Sequence, residues 1–260
     1  MDRIPKFKKM ISDLDEKKSD SELLKYIGTG NPNADILIIG KESSVEDENS
    51  EQFKFELKSN FKNWQRKRNY NQDDVLDFYT WNDYDPIYPY KGQKYNIDNG
   101  SNSGTSRTWY TYQKLINYIF DTPNNKDIDF HKNVFITEVN STPGRKTKDA
   151  DISSIEFRKD LILKSDFFQS FPIVIISGAG YFKITTNNNE IEEIFNVKYS
   201  EKKLAEGKQS QPYWIHSNEA NQPSKLLINT YQLSIGIADD LLQEIANMMK
   251  KEIEIIKPKS

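Results

Sequence analysis

Four short runs of almost unbroken apolar residues constrain this chain more than any other feature. They are Asp35-Ile-Leu-Ile-Ile-Gly40, Val134-Phe-Ile-Thr137, Pro172-Ile-Val-Ile-Ile-Ser-Gly178 and Lys225-Leu-Leu-Ile-Asn229. A strand with one wet face alternates polar and apolar residues. A run that is apolar at every position reads instead as a strand covered on both faces, as in a parallel sheet.

Amphipathic segments lie between and after these runs. Over 51–66, Phe53, Leu57, Phe61 and Trp64 share one helical face, while Lys54, Lys58, Lys62 and Arg66 stripe another. Trp109, Tyr112, Ile116 and Ile119 mark a second helix, and 152–170, capped by Asp151, a third. The last helix follows Ser234 as its N-cap and turns Ile237, Leu241, Ile245 and Met248 inward. Strands alternating with helices predict a three-layer α/β/α sandwich around a central, mainly parallel four-stranded sheet. Residues 1–26 read as an N-terminal helical extension. Two segments interrupt the alternation: 70–107, rich in Tyr, Asp, Asn and Gly, and 194–216, which reads as an extra β-hairpin. Both count as insertions on a single domain spanning 1–260.

Composition removes whole classes of chemistry. The chain has no cysteine, so disulfides, thiolate nucleophiles, Cys-ligated zinc and iron–sulfur clusters are excluded. Two histidines, His131 and His216, cannot form a three-His zinc site. No stretch approaches the roughly 20 apolar residues of a membrane span, and the expectation is a cytoplasmic protein, monomeric by default. The 36 Lys and Arg are balanced by 39 Asp and Glu, so any nucleic-acid binding must rest on local patches. Gly28-Thr-Gly30 precedes the first strand and so cannot be a dinucleotide loop, and Ser177-Gly-Ala-Gly180 lacks the glycine two residues before the serine that a hydrolase elbow requires.

Open α/β sheets bind ligands at the carboxyl ends of their parallel strands. Polar residues converge there: Gly40-Lys-Glu-Ser43, Glu138-Val-Asn140 with the basic loop Arg145, Lys146 and Lys148, and Asn229-Thr-Tyr-Gln-Leu-Ser234. With these segments on view, the chain resembles the uracil-DNA glycosylase-like superfamily. The matching stretches are GNPNADILIIGKES (30–43), SRTWYTYQKLINYIF (106–120), VFITEVN (134–140), FPIVIISGAGYF (171–182) and LLINTYQLS (226–234). The first and last correspond to the family's motifs Gly-x-Asp-Pro and His-Pro-Ser-x-Leu-Ser, each only partly kept.

The resemblance implies a DNA partner, damaged or single-stranded forms included, and no metal or organic cofactor. It implies a monofunctional glycosylase chemistry with Glu42 positioning water and Asn229, in place of the family's His, hydrogen-bonding the departing base. Gly40, Lys41, Ser43, Glu138 and Asn140 would line the base pocket. An aromatic from the insertion, Tyr84, Tyr88 or Tyr90, would stack on the base, Leu233 would wedge into the duplex beside Ser234, and Arg145, Lys146 and Lys148 would meet phosphates. Glu138 replaces an Asn that reads uracil in several branches, and an ionised acid cannot donate to a carbonyl. Lys41, Ser43 and Asn229 depart from the motifs, which leaves a second reading, a non-catalytic nucleobase-binding module on the same fold.

Each residue also has a plainer reading. Glu42 caps a helix or faces water, Asn229 bonds a loop backbone, and Leu233 is a hydrophobic staple. Glu138 pairs with Lys41 or Arg145. The Lys54–Arg66 stripe is a solvated helix face, and the 70–95 aromatics pack against one another.

Overall fold

All four apolar runs form strands, and they lie side by side in parallel. The computed structural model describes residues 2–17, 21–45, 53–67, 85–87, 89, 106–122, 127–144, 150–178, 180–185, 188–205, 211–218, 224–234 and 236–257. The strands are β1 (Thr29–Gly30), β2 (Ile36–Gly40), β3 (Val134–Glu138), β4 (Ile173–Ser177), β5 (Lys198–Leu204), β6 (Pro212–Ser217) and β7 (Leu226–Thr230). They form one seven-stranded mixed sheet in the order β1-β3-β2-β4-β7-β6-β5.

The expected four-stranded sheet is thus the parallel centre of a larger one. The sequence placed the hairpin outside the sheet, but β6 pairs antiparallel with β7 and β5 with β6, so the insertion continues the hydrogen-bond ladder. At the other edge β1 pairs antiparallel with β3. Gly28 and Gly30 have φ of +131° and +100°, and a Cβ at either would collide with the β3 carbonyls of Ile136 and Val134. Only glycine permits that backbone approach.

Side chains alternate across the sheet and feed two cores. Leu37, Ile39, Phe135, Val174, Ile176 and Leu227 face one side. There they meet α1 (Ile4–Glu16), α2 (Asn60–Arg66), α5 (Asp166–Gln169) and α6 (Glu190–Phe195). Aromatic rings interlock on this side, with Phe7 4.8 Å from Trp64 and 4.7 Å from Phe167. Ile36, Ile38, Val134, Ile136, Ile173, Ile175 and Ile228 face the other side, against α3 (Arg107–Phe120) and α7 (Asp239–Ile256).

Helix interiors depart from the sequence reading in three places. The 51–66 segment opens as a π-helical turn, Phe53–Lys58, before α2, yet Phe53, Leu57, Phe61 and Trp64 are all buried as expected. The 152–170 segment splits into α4 (Ser154–Phe157), a π-helical stretch Arg158–Leu163 and α5. The wider turn carries Arg158 and Lys159 inward together with Ile162 and Leu163, which a regular amphipathic helix would not do. Asp151 accepts hydrogen bonds from Ser153 instead of capping the helix. Finally, α7 starts at Asp239 with Ala238 at its N-cap, so Ser234 does not cap it.

Among the described residues no helix is long and apolar enough to cross a membrane. His131 is fully buried against Phe130 and Trp109, and burial pushes its pKa down to about 3, so it is a neutral packing residue.

Candidate functional site

Parallel pairing brings the ends of β2 and β3 into register, with Gly40 opposite Glu138. The pairing continues beyond the strands. Val139 N donates to Gly40 O at 2.9 Å, Asn140 N to Lys41 O at 2.8 Å, and Gly144 N to Ser43 O at 3.2 Å. This zip holds the Gly40–Ser43 and Glu138–Asn140 segments together, as the strand-end rule predicts. Glu138 projects to the same side as Val134 and Ile136, and its carboxyl lies over Gly40. A Cβ on residue 40 would stand 2.9 Å from Glu138 Cδ and closer still to Oε2.

That Oε2 is closed off from solvent and accepts no hydrogen bond. Burial above all, and the nearby Glu42 carboxylate, raise the Glu138 pKa to about 8 against the opposing pull of the Arg158 guanidinium. Near neutral pH Glu138 therefore carries a proton. A protonated carboxyl presents one donor and one acceptor, the pattern of the carboxamide it replaces in the resemblance. The objection that an acid here cannot donate a hydrogen bond applies only to the ionised form.

Arg158, which sequence reasoning missed, is fully buried beneath this corner. Its Nε donates to Glu138 O at 3.0 Å, one terminal nitrogen to Thr137 Oγ1 at 2.9 Å, and the other to Tyr26 O. Its guanidinium also lies 5.3 Å from the Tyr26 ring centroid. Burial lowers its pKa to about 10, so it stays charged. Among the described residues no salt bridge joins Glu138 to Lys41, and Arg145, the other expected partner, lies outside them.

Glu42 accepts a hydrogen bond from the Tyr181 hydroxyl. Tyr181 comes from the loop after β4, the third central strand end, and the strand-end rule applied there would have found it. Burial and the Glu42 contact raise its pKa. Lys41 Nζ stands 6.0 Å from the Tyr181 ring. On the α3 side the Tyr112 hydroxyl is buried, bonded to Ser177 and close enough to feel the Glu138 charge. Asn140 belongs to the loop scaffold: Oδ1 accepts from Thr142 N and Ser154 Oγ, and Nδ2 donates to Asp151 O.

Asn229 is not in this cluster. It shares its face of β7 with Leu227, on the opposite side of the sheet from Glu138. It lines a cavity of about 670 Å³ between the 180–189 loop and the β5–β6 hairpin. Leu233, expected at a rim, is completely buried, and its N–H donates to Ser177 Oγ at 2.7 Å. It is a core residue, a member of the buried cluster that also holds residues of α3 and α7. Ser234 is half-buried beside it, its carbonyl facing Thr111. Tyr84, Tyr88, Tyr90, Arg145, Lys146 and Lys148 lie outside the described residues. Lys54, Lys58, Lys62 and Arg66 are exposed, as a solvated stripe would be.

Fold and site together define a mixed α/β protein with an acidic corner at the carboxyl ends of adjacent parallel strands. Comparison with protein-family models and with curated proteins finds no match.

Proposed function

We propose that this chain is a nucleobase-recognising DNA-binding protein, cytoplasmic and monomeric, built as a uracil-DNA glycosylase-like α/β/α sandwich with the Glu42–Glu138 corner as its base site. One observation carries the reading. Glu138 lies over Gly40 with a pKa raised to about 8, so its buried, protonated carboxyl has the donor and acceptor of an amide, which a base edge meets once the corner opens to admit it. Glu42 and Tyr181 supply a second acceptor and a ring beside it. Binding without hydrolysis is favoured by the placement of Asn229 on the face of the sheet opposite to Glu138, away from the base site proposed here. The burial of Leu233 points the same way, since it takes the residue expected as a wedge out of reach of DNA.

Hydrolysis of the N-glycosidic bond is the second reading. Its specific support is the Glu42 carboxylate, fixed by Tyr181 at the end of β2, where an acid would orient water. The test is binding of, and base release from, single- and double-stranded oligonucleotides. The panel carries uracil, hydroxymethyluracil, hypoxanthine, xanthine or alkylated bases, with Glu42→Ala and Glu138→Leu as controls. Binding that weakens in Glu138→Leu, with no base released, is the expected result. Release abolished by Glu42→Ala would make the protein a glycosylase. Neither binding nor release would overturn both readings.

A further inference from the structure

Lys225 is a lysine seated without a counter-charge. It immediately precedes β7, at the opposite end of the parallel strands from the Glu42–Glu138 corner, and is half-buried. Its Nζ donates to Gln169 O at 2.9 Å and to Gln169 Oε1 at 3.3 Å. The Gln169 carboxamide is itself fixed, because its Nε2 donates to Leu163 O at 2.7 Å, so Oε1 is the end turned to the lysine. The Phe195 ring centroid lies 5.9 Å from Nζ, at the outer limit of a cation–π contact. Lys67 and Lys159, which are more deeply buried, are each paired with a carboxylate, Asp85 and Glu190. Among the described residues no carboxylate forms a salt bridge with Lys225.

This seat suits an amine better than an ammonium. Two neutral acceptors engage the two N–H groups of an amine and leave its lone pair free, whereas a buried ammonium ordinarily requires a carboxylate partner. Lys6 on α1 is close enough to repel a second positive charge. Burial first, and Lys6 second, lower the Lys225 pKa to about 8. At neutral pH such a group holds on the order of a few hundred times more free amine than one at the ordinary 10.5. The same Lys6 charge would attract an anion formed on Nζ. Half-burial beside a phenyl ring admits a small, neutral, apolar electrophile and hinders a bulky acyl donor.

We propose that Lys225 is a modification site for carbon dioxide, forming a carbamate on Nζ that Lys6 holds by charge. The ammonium first gives a proton to water. The amine lone pair then attacks the carbon of CO2, forming the N–C bond while one C=O electron pair moves onto oxygen. A second proton leaves the nitrogen for water and the product is Lys–NH–COO⁻, with nothing oxidised or reduced. The remaining N–H keeps one of the Gln169 acceptors, and the charge at the site changes from positive to negative. The inference is independent of the nucleobase reading, since none of these residues belongs to the carboxyl corner.

The test equilibrates the full chain with isotope-labelled bicarbonate and carbon dioxide near neutral pH and fixes carbamates by ethylation with triethyloxonium. Mass spectrometry of the digest reads occupancy at each lysine, with the exposed Lys54 and Lys58 as internal references. The expected result is occupancy at Lys225 at least tenfold above either reference, absent in Lys225→Arg and reduced at least threefold in Lys6→Gln. Lys6 is exposed, so the second comparison stands even if circular dichroism shows that Lys225→Arg has lost its fold. Occupancy at Lys225 no greater than at the references would overturn the inference, as would equal occupancy in Lys6→Gln. An acetyl thioester that modifies Lys225 selectively where carbon dioxide does not would also overturn it.

Discussion

Gly40 and Glu138 face each other across two parallel strands, and the carboxyl of one occupies the volume that a side chain on the other would need. The absence of a Cβ at residue 40 is what lets an acid fold down over the sheet at its wettest end and still escape water.

Gly40→Ala should therefore expel the Glu138 carboxyl from its seat, at a cost of about 1–3 kcal/mol typical of overpacking. Gly178→Ala is the matched control, because its Cβ would meet the flexible Lys41 side chain at 3.3 Å. Urea unfolding of both variants checks the pair, and equal losses would refute the packing account.

The raised pKa of Glu138 predicts a sign for the pH dependence of stability. The unfolded chain releases this proton near the ordinary value of 4.5, whereas the folded chain holds it until about 8. Between those values the folded state binds more protons, so stability falls as pH rises. The slope approaches about 1.4 kcal/mol per pH unit at most. Glu138→Gln keeps the shape without the titration and should flatten the curve between pH 5 and pH 8. Glu42→Gln removes a neighbouring negative charge and should move the Glu138 titration downward, read from side-chain carboxyl NMR shifts.

Arg158 should be among the least replaceable residues outside the apolar core. Arg158→Met fills similar space but strands the buried acceptors Tyr26 O and Thr137 Oγ1 and the half-buried Glu138 O, and should cost at least about 3 kcal/mol. It should also raise the Glu138 pKa further, since the opposing positive charge is gone. A melting temperature close to that of the unaltered protein would contradict this role.

Leu233→Ala separates packing from DNA contact. A fully buried leucine truncated to alanine loses about 2–5 kcal/mol. At temperatures where the variant stays folded, its affinity for oligonucleotides should match that of the parent. A wedge would give the reverse: little change in stability and a marked loss of DNA affinity.

The parallel centre of the sheet was legible because each of its strands is apolar on both faces, and the burial of Phe53, Leu57, Phe61 and Trp64 followed from their spacing. The edges were not. β5 is exposed at nearly every position, so nothing in its pattern separates a free hairpin from a sheet edge. Arg158 was hidden for a related reason. One charge in a helical stripe reads as solvated, and only the π-helical turn, together with backbone acceptors from β3 and the loop before β1, brings it inside. The grouping of Gly40, Lys41, Glu42 and Glu138 at strand ends was readable from topology alone. Which face each side chain takes was not combined with it, and that omission put Asn229 and Glu138 in one pocket.

The strand order also governs the sequence of events in folding. β2 is formed early in the chain, yet its partners are β3 and β4, and β4 in turn waits for β7 near the end. Closing such distant segments is slow, because chain entropy is lost before the contacts return anything. On the ribosome, the Ile36–Ile39 run emerges long before its neighbours and spends that interval as an unpaired, sticky strand. Holding it soluble until residues 134–138 and 173–177 arrive is a task for chaperones or for a rapid rate of synthesis.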